Sequence, residues 1–366
     1  MYLMRKFKLL PTRLKIILVV VFAAFVLVWT VVGFYAGRKS AQAADIKSPI
    51  GSLINEDIIP QIADFPNPIN GVFFTKEEAK EWKDRLPLAV VIENHTDARP
   101  QSGLNKADVV YETLAEGGIT RFLAIFLASE TPIGPVRSNR PYFLDWVSEY
   151  SAGYAHVGGS PEAQGLVKTY SIRDLDQFFI GAPTYERVSY KYAPHNVYTT
   201  TQKLRGTAAT RGYKGPVTIK SWQFADEEIP LESRPKAFTL DLGFSGTYGY
   251  DVRWVYEPKT NTYQRFNGGS GHIDAATNTQ LTAKTIVVEY AAVSPDPSGH
   301  SRIKINTTGS GKAIIFTDGK AVAGTWKKTS RPDRTLFFDN NGKEIPLNRG
   351  LIWIEVVPGD SPVSFK

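Results

Sequence analysis

Glu112 and Glu116 are the first candidates for acid–base chemistry, four residues apart within a strand-like run, Asp108 to Glu116. On one face of a strand their Cα atoms would be ~13 Å apart. Glycosidase carboxyl pairs sit ~5–5.5 Å apart when retaining and ~6.5–9.5 Å when inverting, so this strand alone supplies no such pair. A second run, Ile119 to Leu127, follows Gly117-Gly118, a hairpin signal because both glycines accept positive φ. A two-residue turn sets Arg121 opposite Leu114, on the face of both glutamates, with Val109, Val110, Phe122 and Phe126 covering the core. That predicts a salt-bridged polar face. A glutamate working with a group from another element is the alternative.

His156-Val157-Gly158-Gly159-Ser160-Pro161-Glu162 is a strand–turn–helix passage. Helix N-termini offer free N–H groups to an anion, and Ser160 is a nucleophile or simply a capping serine in a tight turn. It is not the Gly-x-Ser-x-Gly elbow. Arg137 and Arg140 carry guanidinium forks suited to carboxylate or phosphate. In Pro194-His195-Asn196 the imidazole is a general base, a ligand contact or a structural hydrogen-bonder. The five histidines show no short metal-ligand spacing, and there is no cysteine, phosphate loop or dinucleotide fingerprint. No metal and no cofactor are expected. Trp254, Tyr256, Tyr263, Trp326 and Trp353 are either core residues or a glycan platform.

These groups need a mixed framework. Leu88 to Glu93 reads as a buried strand, Pro141 to Tyr150 as a helix with Phe143, Trp146 and Val147 on one side, and Tyr154 to Val157 as a short strand. A helix opens at Ser160-Pro161, and another covers Thr199 to Arg211. After residue 216 short strands dominate: Ala237–Leu242, Tyr248–Tyr256, Thr285–Tyr290, Ala313–Phe316, Leu336–Phe338 and Leu351–Val357. Turn pairs such as Asn341-Gly342 punctuate them, as in a sandwich or barrel. The expected fold is an α/β (or α+β) N-terminal domain, 71–216, a connector, 217–234, and a β-rich C-terminal domain, 235–366.

Ahead of them, Ile16 to Ala36 is an uncharged apolar run, long enough at ~1.5 Å per residue to span a bilayer as a helix. Five cations precede it and two follow, which places the N-terminus in the cytoplasm and the rest outside. Residues 1–37 are thus read as basic end and transmembrane anchor, and 38–70 as a Pro-containing linker with an end-to-end distance of ~30 Å. Cleavage near Ala43 is the competing outcome. Of the 43 basic residues, seven lie in residues 1–44, which hold no acid; the other 36 balance all 36 acids. The net charge of +7 therefore belongs to the membrane end and gives no reason to expect a nucleic-acid partner.

The run ARPQSGLNKADVVYETLAEGGITRFLAIF (Ala98 to Phe126) resembles the YerB-like lipoprotein family. So do IGPVRSNRPYF (Ile133 to Phe143), HVGGSPEA (His156 to Ala163), APHNVY (Ala193 to Tyr198), GTWKK (Gly324 to Lys328) and NGKEIPLNRGLIWIEVVP (Asn341 to Pro358). The resemblance covers nearly all of residues 86–360. It implies a bacterial envelope protein with an N-terminal and a C-terminal domain, and no known reaction. Family members often carry a lipoprotein signal; with no cysteine here, the apolar helix takes the place of the lipid. The segment 185–192 is less basic than the resemblance would lead one to expect.

The combined expectation is a membrane-anchored extracytoplasmic protein that binds an anionic envelope ligand, either a cell-wall component or an assembly partner. Arg121, Arg137, Arg140, His156, Ser160, Glu162, His195 and Asn196 would share one polar cleft at strand ends and turns. The alternative is a hydrolase or transferase acting on wall glycan or peptide through Glu112, Glu116, His156, Ser160 or His195.

Overall fold

The computed structural model describes residues 63–366 apart from Ser245. The apolar run 16–36 and most of the linker lie outside the described residues, among which no helix is long and apolar enough to cross a membrane.

The N-terminal half supplies five strands of one large sheet. They are β1 (Leu88–Glu93), β2 (Val109–Leu114), β3 (Thr120–Phe126), β4 (Gly153–His156) and β5 (Arg173–Asp176). Every residue of β1, β2 and β3 is buried. Near-continuous apolar runs such as LAVVIE suit strands covered on both faces. The longest helices described in this half are α1 (Pro141–Glu149), α2 (Pro161–Thr169) and α3 (Thr201–Thr210). Proline opens both α1 and α2, and the Ser160 hydroxyl caps α2 by accepting from the Ala163 amide at 3.3 Å.

The C-terminal half divides between two layers. Strands β6 (Thr239–Leu242), β7 (Val252–Glu257) and β8 (Thr262–Asn267) build a smaller sheet. Strands β9 (Thr285–Ala291), β10 (Gly309–Thr317), β11 (Lys320–Lys328), β12 (Leu336–Asp339) and β13 (Ile352–Pro358) extend the large one, and β14 (Val363–Phe365) returns to β6.

The large sheet runs β12-β11-β10-β9-β13-β2-β3-β1-β4-β5. Its two halves meet where β13 pairs in parallel with β2, from Ile352↔Val109 to Val356↔Thr113. The β-rich half therefore does not close on itself: its last long strand lies beside the N-terminal half, and one ladder crosses the boundary read from sequence. Leu240, Trp254 and Tyr263 of the smaller sheet share a core with Val110, Phe122, Ile286, Phe316 and Trp353, and α3 belongs to the same core through Leu204 and Ala208. Against the opposite face α1 packs Phe143, Trp146 and Val147 with Tyr111, Leu123 and Ile354. Trp254, Tyr256, Tyr263, Trp326 and Trp353 are all buried, so they are core residues and not a glycan platform.

The β2–β3 hairpin departs from expectation by one residue. Leu114 pairs with Thr120 and Thr113 with Arg121, because the loop is Glu116-Gly117-Gly118, closed by the Ala115 amide on the Ile119 carbonyl at 2.8 Å. Gly117 and Gly118 do take φ of +61° and +78°. The loop tip, however, docks on residues 301–302 through a Glu116–Arg302 bridge and a Gly117 amide to Ser301 carbonyl bond. A one-residue change of register sends side chains to the other face. Glu112 consequently faces the smaller sheet, whereas Arg121 faces the other way. The shared polar face of Glu112, Glu116 and Arg121 does not form, although Val109, Val110, Phe122 and Phe126 are buried as expected.

Candidate functional site

At the carboxyl end of β1 the chain turns polar at once: Glu93-Asn94-His95-Thr96-Asp97-Ala98-Arg99-Pro100-Gln101. Strand ends of this kind are where mixed sheets present groups to ligands. Three sets of contacts radiate from this one loop.

The first set is sealed. Glu112 on β2 forms an ion pair with Arg265 on β8, both side chains fully buried. The Glu112 carboxylate also accepts from Thr120 Oγ1 at 2.6 Å and Asn94 Nδ2 at 3.1 Å. Glu355, the cross-strand neighbour of Glu112, accepts from Trp254 Nε1 at 2.9 Å. Burial, then the adjacent Glu112 charge, raises the Glu355 carboxyl well above the ordinary range. The guanidinium of Arg265 lies 4.7 Å from the Trp353 ring centre and donates to His272 Nδ1. Because arginine only donates, that nitrogen accepts and Nε2 carries the proton, 2.7 Å from Gln101 Oε1. Burial and then Arg265 push His272 well below its ordinary value, which keeps it neutral.

The second set is a cavity of about 380 Å³ lined by Thr96, Arg99 and Pro100 on one side and by Asn267, Gly268 and His272 on the other. The β8 hairpin forms that second wall, pairing Asn267 with Ser270 across Gly268 and Gly269 at φ of +59° and +80°. Here the glycine pair does make a two-residue turn. Arg99 donates through Nε to Asn94 Oδ1 at 3.1 Å and through Nη2 to the Asn94 carbonyl at 3.2 Å. Asn267 Nδ2 and Gln101 Nε2 donate to the same Asn94 oxygen, each at 3.0 Å. Among the described residues no carboxylate forms an ion pair with Arg99. Burial, followed by the Arg265 charge, lowers its pKa.

The third set holds most of the residues named from sequence. Glu93, 3% exposed, accepts from Arg137 Nε at 2.9 Å and contacts His195 Nδ1 at 2.9 Å. The His195 ring stacks on His95 with centres 4.7 Å apart. Nearby, Glu116 bridges Arg121 at 2.7 Å and Arg140 at 2.5 Å. Burial pushes the Glu116 carboxyl up, and the two guanidiniums outweigh it, leaving the pKa below the ordinary value. The 137–140 segment ties these groups to β1 and to the 156–160 turn: Arg137 N bonds Val91 O, Asn139 N bonds Gly158 O, and Arg121 Nη1 bonds Ser138 O.

His156 is fully buried, with Nδ1 2.9 Å from the Gly158 carbonyl and Nε2 3.0 Å from Asp174. Ser160 Oγ is occupied as the α2 cap, and Glu162 is exposed on the first turn of that helix. Asn196 is buried and accepts from Arg187 Nη1 at 2.8 Å. Arg121, Arg137, Arg140, His156, Ser160 and His195 thus lie at the same end of the strands β1, β3 and β4, but the three arginines are already paired with carboxylates. Glu112 is on the other face and sealed from solvent, which denies it direct contact with a solvent-borne substrate.

Sequence reasoning missed Glu93, Asn94, Asp97, Arg99, Gln101, Arg265 and Glu355. The available signal was the polar run NHTDARPQSG directly after the apolar run LAVVIE. For Arg265 and Glu355 no local signal existed, since their partners are 153 and 243 positions away on β2.

Two family models match the chain: the N-terminal domain of the protein of unknown function DUF3048 over residues 74–214, and its C-terminal domain over residues 240–354. The chain is 31% identical over 311 residues to "Putative lipoprotein YerB" of Bacillus subtilis (strain 168), covering 84% of this chain and 91% of that protein. It is also similar to the crystal structure of the YerB protein from Bacillus subtilis, with a TM-score of 0.73 and 28% identity, over 82% of this chain and 100% of that one.

Proposed function

The chain belongs to the DUF3048 family, and on that premise we propose that it is an envelope-associated binding protein that receives an anionic group at the end of β1. The observation that carries this reading is Arg99. It is a cation with no ion-pair partner among the described residues, at the wall of the 380 Å³ cavity, while Arg121, Arg137 and Arg140 are each paired with Glu93 or Glu116. A carboxylate or phosphate entering beside Arg99 would meet charge-assisted donors. The sealed network behind the cavity holds the loop in place, so recognition requires little ordering. Binding, and not turnover, fits a pocket lined by no carboxylate, with Glu112 sealed from solvent.

The apolar run 16–36 is read as the membrane span that keeps this site on the extracytoplasmic side, in keeping with a relative named as a lipoprotein. Intact mass of the membrane-extracted chain tests the anchor: loss of the first 43 residues would remove it. For the site, the full chain in detergent should bind anionic wall fragments, peptide carboxylates and glycan phosphates being assayed separately by calorimetry. Arg99→Ala should weaken that binding at least tenfold with the circular dichroism spectrum unchanged. Equal binding by Arg99→Ala would sink the assignment, and turnover of the fragment by the wild-type chain would replace it with an enzyme.

A further inference from the structure

We propose that His95, Asp97 and His195 form a site for one zinc-class divalent ion, beside the anion cavity and independent of it. One ligand atom from each of the three side chains lies within 4.8 Å of the other two. The histidines come from loops a hundred positions apart, and their rings stack at 4.7 Å with 23° between planes. Two imidazoles and a carboxylate suit zinc and its neighbours; calcium and magnesium prefer all-oxygen sets.

What separates this group from a chance surface cluster is the support behind it. Glu93, nearly sealed from solvent and itself held by Arg137, contacts His195 Nδ1 at 2.9 Å. A carboxylate there fixes the Nδ1–H tautomer and leaves Nε2 free to coordinate, the arrangement commonly found behind metal-bound histidines. The contacts of His95 are weaker. Its Nδ1 has a 3.2 Å bond from the Asp97 amide and lies 3.6 Å from the Asp97 carboxylate, both within the same short turn. His95 and His195 are half-buried and Asp97 is exposed, so an ion has access from solvent. Three protein ligands would leave a coordination position open to water or to an added anion.

The test uses the full chain in detergent, stripped of metal with a chelator and titrated with Zn²⁺ against a chromogenic competitor. Co²⁺ serves as the spectroscopic probe. One ion per chain is expected, together with the visible absorption of nitrogen- and oxygen-ligated Co²⁺. His95→Ala and His195→Ala should each weaken binding at least a hundredfold. Glu93→Gln should weaken it roughly 10–100-fold, as loss of an orienting carboxylate does, and His300→Ala, at an exposed position elsewhere, should leave it unchanged. Should His195→Ala fail to fold, His95→Ala decides, since it alters a half-buried loop residue. Absence of a saturable site, or Zn²⁺ affinity unchanged in His95→Ala, overturns the proposal.

Discussion

Glu112 and Glu116 belong to one hairpin, four residues apart, and each forms an ion pair with arginine, yet their surroundings are opposites. Glu112 meets Arg265 under the smaller sheet, with both side chains fully buried. Glu116 meets Arg121 and Arg140 at the loop end of β2 and β3 and keeps 30% of its side chain in contact with water. The first pair joins the N-terminal to the C-terminal half, alongside the β2–β13 ladder. The second lies within the N-terminal half and braces the strand-end loops. Charge type and spacing thus say little about a carboxylate's work until its face of the sheet is known.

The largest effect should come from breaking the sealed pair. Arg265→Ala leaves Glu112 buried without its cation and should cost about 3–5 kcal/mol in denaturant unfolding. Glu355→Gln in the same network should cost less than about 1 kcal/mol, because the neutral amide replaces a carboxyl whose burial beside Glu112 already favours the neutral form. A loss within 1 kcal/mol for Arg265→Ala would show that the junction does not depend on this pair.

A second sealed acid provides a pH test. Glu289 on β9 is fully buried, with no hydrogen-bond partner for either carboxyl oxygen among the described residues. Burial, and then Glu149, pushes it up to about 8. Its folded pKa is above the unfolded one, so the native state holds the proton more tightly. Its contribution is complete below about pH 4.5 and declines as pH rises through 8, by at most about 1.4 kcal/mol per pH unit. Glu289→Gln should flatten unfolding free energy between pH 5 and 8 relative to wild type. An unchanged slope would mean that this acid ionises without penalty.

At the open pair the expected effect is smaller than at the sealed one. Glu116→Gln should cost about 1.5 kcal/mol, the low end for hydrogen bonds to charged groups, because the carboxylate keeps some water. A loss equal to that of Arg265→Ala would erase the contrast between the two regions.

Much of the local structure was legible. The β1 boundaries match the expected Leu88–Glu93, Ser160 caps α2, and Phe143, Trp146 and Val147 are buried in α1, together with Tyr142, Leu144, Ser148 and Glu149. Apolar periodicity and capping are short-range signals, which is why these elements could be read. The length of the β2–β3 turn was not readable, since a glycine pair serves two- and three-residue loops alike, and residues 301–302, far along the chain, dock against the tip. β11 and β8, with charged or polar residues between buried ones, gave patterns too weak to be read as strands.

By itself, then, the sequence determined the mixed framework, the β-rich second half, the balanced charge beyond the N-terminus and the polar character of the strand-end loops, because composition and period express local energetics. The packed fold settles that Glu112 is sealed and Glu116 left at the strand ends, that Arg137 and Arg140 but not Arg99 form ion pairs among the described residues, and that His95 meets His195. Each of those outcomes depends on strand register and on chain segments far apart in sequence, and long-range pairing leaves no imprint on the spacing of neighbouring residues.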